Sequence, residues 1–360
     1  MGDQISRLTN AGLGKGIDME LSDLASRLSY YLTSVTGSAV DVADLHPLAG
    51  GASRDSWAFT AVHTDGTRER LVMRRDLATT MTGSALTRAQ EFTLMQAAHR
   101  HGVTCARVRW LCDSHEPLDF PFFIMDFVDG ISIGRKVMTS PELAAARTAL
   151  PQQMARELAR IHSLDWQRES LNFLRQPASD TPARDAVSEV YAVLDALNAH
   201  ILALELALRW CATHAPEPQR ITFVHGDFRV GNVLVGPDGL TAVIDWEFAH
   251  VGDPAEDLGY LCMRDWRFGS DTLRAIGLTT REAFLVDYEQ ASGVKVDRSA
   301  VDWWEVFGNV RWAAICLSQA QRHLSGADPS VELASLGRRS LDMQAEALAL
   351  IGRLRAKVTP

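Results

Sequence analysis

The sequence predicts an α+β fold in two lobes, a small antiparallel β-rich lobe followed by a larger, mainly helical one. Short strand-like runs gather in the first third of the chain, while apolar residues recur at three- and four-residue spacing over most of the remainder. With 360 residues, the chain is long enough for two domains or for one domain in two lobes.

The first 20 residues, with Gly12, Gly14 and Gly16 among polar neighbours, read as a mobile tail. An amphipathic helix is expected from about Leu21 to Val35, because Leu24, Leu28 and Leu32 fall on one face. Three strands should follow, near Val42 to Leu48, Ser56 to His63 and Glu69 to Arg74. The Asp65-Gly66 pair between the second and third marks a tight hairpin. A helix over Leu86 to Arg100 then separates these from two more strands, Arg107 to Cys112 and Phe122 to Phe127. Residues 21–127 would thus form the β-rich lobe, with a hinge at Asp126 to Gly130, and residues 128–360 the helical lobe. Within the latter, helices are expected over Ser140 to Leu164, Arg184 to Ala212 and most of Thr279 to Leu354. Brief β-branched runs lie at Ile221 to Val224, Val233 to Val235 and Thr241 to Ile244.

Composition narrows the function. Lys and Arg total 36 against 45 Asp and Glu, a formal charge of −9, so there is no overall basic footprint for nucleic acid. No segment reaches the ~18 uninterrupted apolar residues that span a bilayer, and no membrane association is expected. The five cysteines are scattered without a C-x-x-C pair, which fits a reducing, cytoplasmic setting.

The chemistry concentrates in one segment, Phe223-Val224-His225-Gly226-Asp227-Phe228-Arg229-Val230-Gly231-Asn232-Val233-Leu234-Val235, followed by Val243-Ile244-Asp245-Trp246-Glu247. Two acids and an amide stand just outside short strands, where functional loops are commonly built. Mg²⁺ takes hard oxygen ligands, one or two from carboxylates and the others from water and nucleotide phosphates, and Asn232 with Asp245 suits that role. Asp227 beside such an ion could accept or orient a substrate hydroxyl proton. The structural alternative is that Asp227 and Asn232 only cap turns.

His225-Gly226-Asp227-x-x-x-x-Asn232 with Ile244-Asp245-Trp246-Glu247 resembles the catalytic and metal motifs of aminoglycoside phosphotransferases and choline kinase-type enzymes, relatives of the protein kinases. The resemblance implies a bilobal protein-kinase-like fold that binds ATP and Mg²⁺. It makes Asp227 the catalytic carboxylate, Asn232 and Asp245 the Mg²⁺ ligands, and His225 an organiser of the loop, with a direct base as its alternative role. Gly50, Gly51, Ala52 and Ser53, between the first two expected strands, resemble the family's nucleotide loop, where glycines admit phosphate oxygens to backbone N–H groups. A Walker A motif is absent. Arg74 stands where kinases carry a phosphate-binding Lys, and Glu91 resembles its ion-pair partner. Arg stays charged and can grip phosphate bidentately, but its fork sets the oxygens differently. In this the chain resembles members of the superfamily near the acyl-CoA dehydrogenase-associated kinases, some of which carry Arg at that place. Met125, Asp126, Phe127 and Val128 resemble the hinge whose backbone pairs with adenine. Asp257, in Gly252-Asp253-Pro254-Ala255-Glu256-Asp257-Leu258, resembles a structural acceptor for the catalytic loop, and Glu247 could assist metal or substrate.

The implied reaction moves the γ-phosphate of ATP to the hydroxyl of a small molecule, by a monomer or homodimer. The acceptor is expected between the Arg184 to Ala212 helix and segments after Asp257. Acids there are dispersed, whereas Trp266, Phe268, Trp303, Trp304 and Trp312 are prominent, which leans away from a polycationic antibiotic. Two alternatives stay open: a hydroxyacyl-CoA or hydroxy-acid kinase, and a nucleotide-binding regulator without turnover.

Overall fold

A computed structural model describes residues 13–48, 55–75, 86–327 and 329–358. The chain folds as two compact units, one of residues 1–99 and 105–128, the other of residues 100–104 and 129–360.

The first unit holds a five-stranded antiparallel sheet of order β1-β2-β3-β5-β4: β1 (Val40–Pro47), β2 (Asp55–His63), β3 (Arg68–Arg75), β4 (Val108–Cys112) and β5 (Phe122–Asp126). The β2–β3 hairpin pairs Val62 with Arg68 around the predicted turn, and Gly66 there adopts φ 86°. Helix α1 (Leu13–Thr36) covers one face, packing Leu24, Leu28, Tyr31 and Leu32 on Phe59, Leu71, Met73, Phe122 and Ile124. It begins eight residues before the expected Leu21, within the segment read as a tail. Leu13, Ile17, Leu21, Leu24 and Leu28 follow at helical intervals, a pattern that outweighs Gly14 and Gly16. Because strand side chains alternate, Val72 and Arg74 fall on the opposite face of β3, where Arg74 meets Glu91 of α2 (Arg88–Arg100). The expected loop of Gly50 to Ser53 lies outside the described residues.

The second unit is built from α3 (Gly134–Thr139), α4 (Ala144–Ser163), α5 (Pro182–Ala196), α6 (Leu202–Thr213), α7 (Ala255–Tyr260), α8 (Arg281–Ser292), α9 (Arg298–Leu324) and α10 (Val331–Val358). Between α6 and α7 lie β6 (Thr222–Val224), β7 (Val233–Gly236), β8 (Gly239–Val243) and β9 (His250–Gly252). The single helix expected over Arg184 to Ala212 is broken in two: Asn198 takes φ 49°, and the N–H groups of Leu197, Asn198 and Ala199 turn back onto the carbonyls of Val193, Asp195 and Leu194. Further on, Gly293 at φ 70° and Gly326 at φ 77° divide the Thr279 to Leu354 stretch into α8, α9 and α10. Residues 100–104 are pinned into this unit by Thr104, whose N–H and hydroxyl both bond the Glu157 carboxylate at 2.9 Å. No described helix is long and apolar enough to cross a membrane.

Candidate active site

Two small antiparallel pairs bring the sequence motifs together. Strand β7 pairs β8 with Val233 opposite Val243, and the Ile244 N–H bonds the Asn232 carbonyl at 3.0 Å, so Asn232 and Asp245 emerge side by side. Strand β6 pairs β9 with Val224 opposite His250, which starts the His225-Gly226-Asp227 turn beside the Asp253 to Asp257 segment.

Asp257 aims that turn. Its buried carboxylate accepts the His225 N–H at 2.8 Å and the Gly226 N–H at 2.9 Å, and accepts His162 Nε2–H at 3.1 Å. His162 Nδ1 in turn accepts the Tyr288 hydroxyl at 2.8 Å, and Arg220 donates to that hydroxyl at 2.8 Å. Burial alone would raise the Asp257 carboxyl, but the hydrogen bond from His162 holds it below the ordinary value. Burial holds the His162 imidazole down, in its neutral form. Gly226 takes φ 80°, and a Cβ there would meet the Phe248 carbonyl oxygen at 2.4 Å, so no other residue fits the turn.

His225 is fully buried, its Nδ1 facing the Asp227 N–H at 3.3 Å and its Nε2 facing the Ile244 carbonyl at 3.1 Å. Both ring nitrogens are engaged by backbone groups, so the ring tethers the Asp227 turn to the strand that delivers Asp245. It has no lone pair left for a substrate proton. Asp227 itself is held on both oxygens: Arg229 Nε donates to Oδ1 at 3.0 Å and Asn232 Nδ2 to Oδ2 at 2.5 Å, with a second bond from Nδ2 to the Asp227 carbonyl at 2.9 Å. The Asn232 nitrogen is thereby committed, and its amide oxygen is the atom it can offer a cation. Asp245 adopts the left-handed conformation, φ 66° and ψ 61°, directing the chain away as β8 ends. Among the described residues no group of three or more His, Cys, Asp or Glu side chains could hold a metal ion. The donor set present, one amide oxygen and one carboxylate, instead matches a Mg²⁺ that shares its shell with phosphate oxygens and water.

Beside Arg229 opens a cleft of about 750 Å³ walled by α3, residues 264–271 and α10, with Trp266 and Phe268 in its lining. None of its lining residues comes from α5 or α6, where the sequence placed the acceptor; those helices pack against α9 instead. Trp303 and Trp304 belong to the core, their indole N–H groups bonded to the Cys211 carbonyl and to Asp253 at 3.0 Å each.

In the first unit, Arg74 lies 3.4 Å from Glu91, the pairing that the resemblance implied. Sequence reasoning missed Arg88, one helical turn before Glu91 and fully buried, which pairs with the other Glu91 oxygen. Of the hinge residues, the Asp126 N–H is taken by the Arg107 carbonyl at 2.9 Å and the Phe127 N–H by the Arg70 carbonyl at 3.0 Å. Met125 lies within β5, paired with Val72 and Val108. The Val128 N–H bonds no backbone carbonyl among the described residues.

The profile of one family, the phosphotransferase enzyme family, matches residues 44–304, most of the chain. The chain belongs to that family. Its fold is the protein-kinase-like one of its solved neighbours: it superimposes on a candidate aminoglycoside phosphotransferase of Ralstonia eutropha with TM-score 0.70 and 22% identity, covering 91% of this chain and 98% of that one. A thermostable mutant of an aminoglycoside phosphotransferase, in ternary complex with AMP-PNP and hygromycin B, matches at TM-score 0.54 and 17% identity over 91% and 99% of the two chains. In sequence, acyl-CoA dehydrogenase family member 10 of Mus musculus is 29% identical over 292 residues, 76% of this chain and 26% of the mouse protein. The chain spans between 26% and 37% of the length of the first curated relatives it matches.

The family match ends at residue 304, yet one contributor to the site lies beyond it. Arg311 of α9 donates to the Gly226 carbonyl at 3.0 Å and to Glu256 at 2.5 Å, and Glu256 also meets His250 at 3.2 Å. The residue before Asp227 is thus gripped from one side by Asp257 and from another by α9. No local motif signals Arg311, which reads in sequence as one arginine of a helical face.

Proposed function

We propose that the chain is an ATP- and Mg²⁺-dependent phosphotransferase that moves the γ-phosphate to a hydroxyl of a small molecule. The observation that carries this reading is the convergence of Asp227, Asn232 and Asp245 at the ends of two short antiparallel strand pairs, with Asp227 aimed by hydrogen bonds on both carboxylate oxygens. Asp227 would accept the hydrogen bond of the acceptor hydroxyl and align its oxygen with the phosphorus. Phosphoryl transfer has a loose transition state, so orientation and charge neutralisation supply most of the rate and Asp227 need not be a strong base. His225 would fix the loop through its two backbone contacts.

Asn232, through its amide oxygen, and Asp245 would hold Mg²⁺. When bound, that ion neutralises phosphate charge and orients the oxygens. Arg74, set by Glu91, would grip phosphate oxygens, and Val128 N–H would meet the adenine edge. Gly50 to Ser53 would cover the phosphates.

A hydroxyacyl thioester or hydroxy acid is the second reading for the acceptor. The similarity to the mouse acyl-CoA dehydrogenase relative favours it, as does a cleft lined by Trp266, Phe268 and several arginines rather than by a ring of acids.

The test is Mg-ATP-dependent ADP release against aminoglycosides, amino alcohols, sugars and hydroxyacyl-CoA thioesters. Release should be stimulated by one class and fall by ~10²–10⁴ in Asp227→Asn, the range a positioned acid–base group contributes. Asp245→Ala should weaken Mg-dependent nucleotide use, while Asp227→Asn leaves nucleotide binding nearly intact. Wild-type turnover in either variant would refute the assigned role. Nucleotide binding without stimulated release in the native protein would point to the regulator reading.

A further inference from the structure

Arg229 is in an unusual position for a guanidinium. Its backbone is extended, φ −158° and ψ 168°, and its side chain lies over Trp266 with Cζ 4.3 Å from the ring centroid. On Gly231, an added Cβ would come within 2.0 Å of Nη1 and 3.2 Å of Cζ, so the guanidinium occupies space that only a glycine at 231 leaves open. Nε donates to Asp227 Oδ1 at 3.0 Å. Nη1 and Nη2 hydrogen-bond no described residue, although only 23% of the side chain is exposed.

Three other arginines on the same cleft have carboxylate partners. Arg339 meets Asp265 at 2.9 Å, Arg264 meets Glu346 at 3.5 Å and Arg267 meets Glu305 at 2.6 Å. Exposed Arg135, Asp271 and Asp342 complete the charged lining. Arg229 differs in lying over an aromatic ring and against a glycine on the cleft wall, its Nε–H given to Asp227 and its four Nη–H donors given to no described residue. Its Nη groups stay open to solvent or ligand, and a planar guanidinium fork matches two oxygens of one anion.

We infer that Arg229 binds an oxyanion at the mouth of this cleft, immediately beside Asp227. The anion is a carboxylate or phosphate carried by the acceptor, or the phosphoryl group in transfer. Either source presents the same paired oxygens. The assignment to acceptor or phosphoryl rests on the function proposed above; the anion site itself does not. Arg229 would then set specificity, since an acceptor placing ammonium groups next to its hydroxyl would meet a fixed cation.

Calorimetric titration with inorganic sulfate tests the site without turnover. The intact protein should bind sulfate in the millimolar range. Arg229→Gln should weaken this by about ten-fold or more, as loss of a charge-assisted hydrogen-bond pair predicts. Arg229→Lys should fall between them, and Arg209→Gln on the remote α6 surface should match the native protein. If Arg229→Gln lowers the unfolding temperature so far that it cannot be titrated, Arg229→Lys decides. Equal affinity in native and Arg229 variants, or no sulfate binding by the native protein, overturns the inference. Steady-state kinetics then separate the sources. In Arg229→Gln, a KM raised more for anionic acceptors than for neutral ones assigns the oxyanion to the acceptor, whereas an equal fall in kcat for both assigns it to the phosphoryl group. Should Asp227→Asn leave turnover intact while the sulfate difference persists, the kinase reading fails and the anion site stands.

Discussion

Around Asp227, a carboxylate is aimed by hydrogen bonds that run mostly to backbone. Asp257 takes two N–H groups of the turn, Arg311 takes its carbonyl, and His225 ties it to Ile244. Around Arg74, by contrast, three charged side chains hold one another, with Arg74 of β3 and Arg88 of α2 on opposite oxygens of Glu91 of α2. A backbone-directed network fixes atoms to a few tenths of an ångström and tolerates no change of donor pattern. A cluster of like and unlike charges conserves net charge while allowing its members to shift. The two regions should therefore fail differently when substituted.

The largest effect is expected at Asp257. Replacing it with Ala strands two buried N–H groups and His162 together, and loss of one member of a buried, hydrogen-bonded charged set costs ~3–5 kcal/mol. We expect Asp257→Ala to lower the unfolding temperature by roughly 10 °C or more, on a scale of ~2–4 °C per kcal/mol for chains of 150 residues upward, and to abolish turnover. Asp257→Asn keeps the volume but turns an NH₂ toward donors, so it should rescue little. A variant that melts like the native protein would show that the turn is held elsewhere.

The Arg74 cluster should be more forgiving. Arg74→Lys preserves the charge and should keep the KM for ATP within about ten-fold, whereas Arg74→Met should raise it further, by the ~1.5–3 kcal/mol of a charged hydrogen bond. Steady-state kinetics with ATP as the varied substrate measures both. If Lys proves as damaging as Met, the fork geometry of Arg74 matters more than its charge, and the contrast between the two regions disappears.

These differences also explain what was legible in the sequence. The β-rich unit and its hairpin turn at Gly66 could be read because local periodicity and turn chemistry encode them. The pairing of Arg74 with Glu91 and the Asp227, Asn232 and Asp245 set were legible through the resemblance of their motifs, in order along the chain, to those of a known family. Arg88 was invisible because a buried arginine in an amphipathic helix looks like a solvent-facing one, and only the fold supplies Glu91 on its inner side. Arg311 was invisible because its partner Gly226 lies 85 residues earlier. The cleft beside Arg229 was not anticipated because α3, six residues long, carries too little periodicity to be found, while the apolar faces of α5 and α6 serve packing on α9. Nor did any pattern announce the break at Asn198, where a single residue in the left-handed region ends a helix that the apolar spacing would continue.

A smaller effect tests the backbone network from its acidic side. Asp253 and Glu256 are both buried and three residues apart, yet they titrate in opposite senses. Burial pushes the Asp253 carboxyl from 3.8 up to about 6, because the Ala255 N–H and the Trp304 indole only partly offset it. Burial would also raise Glu256, but the charges of His250 and Arg311 more than compensate and bring it from 4.5 down to about 2. The signs follow from linkage. The folded state favours the protonated Asp253, so its contribution to stability is full below pH 3.8 and is lost as the pH rises through about 6. The folded state favours the ionised Glu256, so its contribution is full above pH 4.5 and is lost as the pH falls through about 2. Unfolding temperatures of the native protein, Asp253→Asn and Glu256→Gln across that range separate the two. The advantage of the native protein over Glu256→Gln should shrink on acidification below pH 4.5. Its position relative to Asp253→Asn should improve as the pH falls from 7 toward 4. A constant offset from Glu256→Gln at every pH would mean that the Arg311 grip on Gly226 does not depend on the Glu256 charge, and that α9 holds the catalytic turn by packing alone.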